Sequence, residues 1–252
     1  MFKNYQDTSS ADQFKGFPNL NFQGSNSAYR FSGVSFWLDA AFGLNTQTNL
    51  GAVSRWQQRV GGGVFTQGTA GNQPRLILND ANYNNFPSVE AQDTARYMFG
   101  NFTYDALNMT IAIISKVNTP QQFNCIFGSP TPGNNDPARS ISDGGLNSGM
   151  TGFGSHSINP AGSGVSFLGN TENTNARIKI LTANNVIVNS NIETTGTANA
   201  GLSITTSQLF RTQFFNYNLV GSLAEVIVYN YSMTSTDAIA LSDRINQKYA
   251  LY

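Results

Sequence analysis

The sequence predicts an all-β chain, a two-sheet antiparallel sandwich closed by one C-terminal helix. Short apolar runs with strand-like alternation recur from residue 33 to residue 229, separated by Gly, Asn, Ser and Pro. A convincing apolar repeat at three- and four-residue steps is found only past residue 233. At 252 residues one undivided sandwich is expected, with a core large enough to need no disulfide or metal staple.

The elements follow in order. Residues 1–32 are polar with spaced aromatics (Phe2, Tyr5, Phe14, Phe17, Phe22, Tyr29, Phe31) and have neither period, so they read as an extended arm or an edge-strand leader. Val34, Phe36 and Leu38 alternate with Ser35, Trp37 and Asp39 as a half-buried strand. Met109–Ile114 is apolar on both faces and predicts a strand covered on two sides. Ile178 and Ile180 around Lys179, Val186 and Val188 around Ile187, and Leu202 with Ile204 continue the pattern. Residues 128–170 are rich in turn formers and predict loops on the sandwich rim, where a ligand would be met. Residues 219–229 form the most strand-like run. A helix over about 235–249 follows, with Thr234 as N-cap, Asp237 at the capping-box position, and Ala238, Leu241, Ile245 and Tyr249 in one stripe. The domain is expected to span residues 33–252.

Composition narrows function. Fourteen basic and fourteen acidic residues leave no basic stripe, so no nucleic-acid partner is expected. No run reaches the ~20 apolar residues of a membrane span, and no secretory leader is seen at Met1–Asp7, so no membrane partner is expected and synthesis in the cytoplasm is. The one cysteine, Cys125, lies in an apolar run and reads as a buried thiol. His156 has no second His or nearby Cys for a metal site or triad, and reads as a solvent-facing loop residue. Gly61-Gly62-Gly63 lacks the Lys-Ser/Thr of a phosphate loop.

Phe36-Trp37-Leu38-Asp39-Ala40, then Val53-Ser54-Arg55-Trp56-Gln57-Gln58 with Gly61-Gly62-Gly63, resemble the opening of concanavalin A-like (laminin-G-like) domains of bacterial and phage proteins. Gly221-Ser222-Leu223-Ala224-Glu225-Val226-Ile227-Val228-Tyr229-Asn230 resembles that family's G-x-I-A-E-V-I-V-Y-N strand, and Met233 to Tyr249 its closing helix. Gln58 and Val60 depart from the family's turn, which carries an acid and a serine there. The resemblance implies a two-sheet jelly roll that binds glycan or protein and occurs in phage tails, fibres and head decorations.

Catalysis of the laminarinase type needs E-x-D-x-x-E on one strand, which is absent. None of the four glutamates has an acid two residues away, and Glu90 and Asp93, three apart, would face opposite sides of a strand. Glu225, an acid in an apolar strand, must find a cation or N–H donors, with Arg55, Arg59 and Arg75 as candidates. Trp37, Asp39, Trp56, Glu225, Tyr229, Thr234 and Tyr249 are read as structural. Tyr83, Tyr97, Tyr104, Asn134, Asn135 and Asp136 are read as ligand-binding. No catalytic or metal site and no cofactor are expected, although Asn134, Asn135 and Asp136, or Asp143, offer oxygens to a calcium ion. The expectation is therefore a non-enzymatic virion structural protein of a tailed phage: a head decoration, fibre or tail component, present as a homo-oligomer or in many copies. Its arm would contact other virion proteins and its sandwich would meet cell-surface glycans. The alternative is a free carbohydrate-binding lectin or adhesin module, and a third reading is a polysaccharide hydrolase.

Overall fold

The computed structural model describes residues 32–105, 108–119, 124–128, 141–142, 155–156, 165–166, 174–195, 203–211 and 218–252. The chain divides into two units, Met1–Arg30 and Phe31–Tyr252, and the first, with nearly all of the expected arm, lies outside the described residues. The second is the predicted all-β sandwich.

Two eight-stranded antiparallel sheets make up the sandwich. The first contains β1 (Val34–Asp39), β4 (Arg75–Asp80), β5 (Phe86–Ala91), β7 (Thr110–Thr119), β12 (Arg177–Leu181), β13 (Asn185–Val188), β14 (Asn191–Thr195) and β16 (Val220–Tyr229). The second contains β2 (Arg55–Gln57), β3 (Val64–Thr66), β6 (Met98–Asp105), β8 (Cys125–Gly128), β9 (Ile141–Ser142), β10 (Ser155–His156), β11 (Val165–Ser166) and β15 (Ser203–Leu209). Three of these, β9 to β11, fall in the stretch expected to be rim loops, so His156 sits in a strand paired with Ile141 and Val165 instead of in a loop.

The strand most apolar in sequence is the spine of the first sheet. All ten residues of β16 are buried. One edge pairs along its length with β7, and the other is shared between β5, at Gly221–Leu223, and β1, at Glu225–Tyr229. An apolar strand is stable in that place because both its faces and both its edges are covered. The register with β7 slips between Leu223 and Glu225. The bulge carries the chain from Leu223 to Val226 and Val228, all in the core, while Glu225 belongs to the other face.

Between the sheets, Phe36 stands 4.5 Å from Phe102, 5.8 Å from Phe127 and 6.1 Å from Phe65, ring centre to ring centre. Trp56, Met98, Ile111, Ile113, Leu223 and Val226 complete this layer. Cys125 is buried, as its apolar run suggests.

The helix, α1 (Ser235–Tyr249), covers the opposite face of the first sheet at β12 and β13. Its buried side chains include the predicted stripe, Ala238, Leu241, Ile245 and Tyr249. The Thr234 hydroxyl accepts from the Asp237 N–H at 3.2 Å and donates to the Asp237 carboxylate at 2.8 Å. The acid thus fastens the capping hydroxyl, where the usual capping box reaches back to the cap's own N–H.

Candidate functional site

Two polar regions stand out, and they differ in kind. The first lies on the helix side of the first sheet, where alternation turns Trp37 and Asp39 away from the Phe36 and Leu38 core. Glu225 is fully buried there, accepting from Trp37 Nε1 at 2.7 Å, Tyr249 OH at 2.8 Å and Lys248 Nζ at 3.1 Å. Its expected arginine partners are engaged elsewhere. Arg59 donates to Asp39 Oδ2 at 2.9 Å, Arg75 to Glu90 at 2.6 Å, and Arg55 to Gln57 at 2.9 Å. The helix end supplies the cation instead, because the bulge brings Glu225 under Lys248. The other Asp39 oxygen accepts from the Ala41 N–H at 2.8 Å, and the Asp39 carbonyl accepts from Trp56 Nε1 at 3.1 Å.

Burial would raise the Asp39 pKa, but Lys248, Arg59 and the Ala41 N–H outweigh it and hold the carboxyl below its ordinary value. Burial likewise works against the Lys248 ammonium, yet Asp39 and Glu225 hold its pKa above the usual one. Both carboxylates of this network are buried and its charges are matched. It fixes β1, β16 and α1 to one another. Tyr229, also buried, packs its ring edge-on against Tyr231 at 6.1 Å, and burial raises its hydroxyl pKa.

Of the residues read as ligand-binding, Tyr83 is corrected outright. It is fully buried, bonds Ser222 through its hydroxyl and packs against the Tyr249 ring at 6.2 Å. It closes the 3-10 turn Ala81–Tyr83 of the β4–β5 connection, just before Asn84 and Asn85 at positive φ, and is tucked inward while the asparagines face out. Asn134, Asn135, Asp136 and Asp143 lie outside the described residues, as does the Tyr104 side chain. No group of three His, Cys, Asp or Glu residues able to hold a metal ion occurs among the described residues. No helix there is long and apolar enough to cross a membrane.

Tyr97 belongs to the second region, on the outer face of the second sheet. In β6, Met98 and Phe102 point into the core, and a Cβ on Gly100 would strike the Phe65 ring at 2.7 Å. Alternation therefore puts Phe99 outside, where it is 45% exposed, beside Tyr97 just ahead of the strand. The Phe99 ring meets Tyr97 edge to face at 5.1 Å. The Arg211 guanidinium lies over the other ring, 4.5 Å from the Tyr97 centroid.

The Tyr97 backbone is pinned by its N–H to Asn72 O at 3.1 Å and by Gln67 Nε2 to its carbonyl at 3.0 Å, and Asn72 Nδ2 reaches its hydroxyl at 3.4 Å. Gln208, in β15, pairs directly across from Phe99 and shares its face. Asn218 bridges to Arg211 and donates to Thr94 O at 2.8 Å.

Several polar atoms of this region are buried without a hydrogen-bond partner: Gln208 Oε1, Asn218 Oδ1, Gln92 Oε1 and Arg211 Nε. Each such atom costs about 1–3 kcal/mol, so β6, β15 and the adjoining loops hold hydrogen-bonding groups that the fold itself leaves unused. Three are acceptors and one is a donor, flanking the exposed Phe99 and the half-buried Tyr97. That set suits a ligand with an apolar ring face and hydroxyls at its edge. Of these residues the sequence reading singled out Tyr97 alone; Phe99, Arg211, Gln208 and Asn218 come beside it through the β6–β15 register and the Arg211–Asn218 bridge.

No family model and no curated protein matches the chain in sequence. Solved structures do match in fold. One is domain 4 of AbnA, an extracellular GH43 arabinanase from Geobacillus stearothermophilus, in complex with arabinotriose. It has 11% identity and a TM-score of 0.54, and the match covers 83% of this chain and 99% of that domain. Another is Trypanosoma rangeli sialidase in complex with sialic acid. It has 11% identity and a TM-score of 0.51, over 86% of this chain and 33% of the sialidase.

These likenesses correct two expectations. The virion structural role gains nothing from them, since the matched folds come from carbohydrate-active proteins. The expectation of a non-enzyme also falls, because this fold occurs in chains of an arabinanase and a sialidase, and a missing laminarinase-type motif does not exclude other catalysis. At such identity the comparisons establish the fold: an all-β sandwich of the kind present in glycan-active proteins.

Proposed function

We propose that this chain is a carbohydrate-binding β-sandwich module of the concanavalin A-like type, in the manner of a lectin or adhesin domain. The observation that carries the reading is the exposed Phe99 ring against the half-buried Tyr97, with unpartnered amide oxygens buried beside them. A sugar ring lays its C–H face on an aromatic side chain, and its hydroxyls donate to acceptors held at the rim. Here Phe99 supplies the platform, and Tyr97 with the Arg211 guanidinium walls one side. The domain-4 structure, solved with a bound arabino-oligosaccharide, supports a glycan role for this fold.

A glycan array followed by calorimetry tests the reading. Binding in the millimolar to micromolar range that weakens about tenfold in Phe99→Ala, with an unchanged melting temperature, is the expected result. The sandwich is proposed to span residues 33–252, so removing residues 1–32 should leave sugar binding intact. An array without a hit for the intact chain would overturn the proposal.

A further inference from the structure

The chemistry of Arg211 narrows the ligand class within the glycan reading above, on which this inference rests. Its guanidinium lies on the Tyr97 ring, and its Nε is buried without a hydrogen-bond partner. No carboxylate pairs with it among the described residues. The acid nearest in the adjoining loop, Asp93, spends Oδ1 on the Ala95 N–H at 2.8 Å and Oδ2 on Arg96 at 3.2 Å. Arg96 also donates to Gln73 O at 3.3 Å, so it is held in place as well. A partly buried cation with a free N–H edge and no counter-ion is costly. A planar guanidinium relieves that cost best by taking a carboxylate along its edge.

Around this cation stand acceptors, not further donors. Asn218 is 2% exposed, its Nδ2 already given to Thr94 O and its Oδ1 buried without a partner. Gln208 is 4% exposed and its Oε1 is likewise buried without a partner. One cation for a carboxylate and the exposed Phe99 face for a ring make a matched pair. We infer that this outer-face site of the second sheet binds an acidic saccharide, a sugar whose carboxylate pairs with Arg211 while its ring stacks on Phe99.

The test is calorimetric titration of the full chain with two trisaccharides that differ only in charge, one of galacturonic acid and one of galactose. The expected result is at least tenfold tighter binding of the galacturonate trimer, weakening as salt is raised from 50 to 500 mM. Arg211→Gln should abolish that preference and its salt dependence, whereas Arg211→Lys should keep part of both. Melting curves of both variants verify that the fold is intact. Equal affinity for the two trimers, or a preference untouched by Arg211→Gln, overturns the acidic-sugar inference while the glycan reading stands. Failure to bind either trimer, with neutral glycans bound on the array, overturns the inference alone. Failure with every glycan overturns both.

Discussion

The helix-covered face of the first sheet and the open face of the second treat polar groups in opposite ways. On the first, Glu225 and Asp39 are buried, but hydrogen bonds from Trp37, Tyr249, Lys248, Arg59 and Ala41 occupy their oxygens. On the second, Gln208, Asn218 and Arg211 keep buried atoms unbonded beside an exposed ring. A satisfied network stores its energy in the fold. An unsatisfied one holds capacity for a partner. The most acid-rich buried spot is thus architecture, and the outer patch, with little charge, is the place proposed for recognition.

Breaking the first region should cost most. Glu225→Ala leaves Lys248 and two other donors without their acceptor, and should destabilise by about 3–5 kcal/mol, read by urea or thermal unfolding. Phe99→Ala should change stability by no more than about 0.5 kcal/mol while lowering glycan affinity about tenfold, or ~1.4 kcal/mol, in calorimetry. If Phe99→Ala unfolds the chain instead, the two regions are not distinct in kind. Thr234→Ala should cost about 1 kcal/mol by removing the hydroxyl that caps α1, with binding unchanged.

The charge states sharpen the same contrast through pH. The folded Asp39 pKa lies below its ordinary 3.8, so its contribution is present above that value and is lost as acid takes the pH down through the folded pKa. The folded Lys248 pKa lies above 10.5, so its contribution is present below 10.5 and is lost as pH rises through the folded pKa. Lys179, inside the sandwich opposite Ile113 and 3.4 Å from Ser115 Oγ, goes the other way. Burial drives its pKa well below 10.5, so stability should rise with pH from that folded value up to 10.5. Lys179→Met should flatten that alkaline rise, and Asp39→Asn the acid loss, in melting curves taken across pH.

The local elements were legible in the sequence because each depends on near neighbours. The helix fell at its expected bounds since the Thr234 cap and the stripe of Ala238, Leu241, Ile245 and Tyr249 lie within 16 residues of chain. The all-apolar run of 219–229 marked the sheet's spine for the same reason. Partner choice was not legible. Glu225 meets Lys248 only because a one-residue bulge turns it towards the helix, and no spacing rule reveals a bulge beforehand. Tyr83 read as exposed because it sits among asparagines, but a 3-10 turn faces it inward to Ser222. The patch required Gln208 to pair with Phe99 across a register slip in β15, and required Arg211 to reach Tyr97 over more than a hundred residues.

The decisive measurement is an NMR titration of the isotope-labelled full chain with a glycan taken from the array. Shift changes centred on Tyr97, Phe99, Gln208, Arg211 and Asn218, with the Trp37 and Trp56 indole signals still, are the predicted result. Saturable changes centred on any other surface, leaving those five residues unmoved, would contradict it.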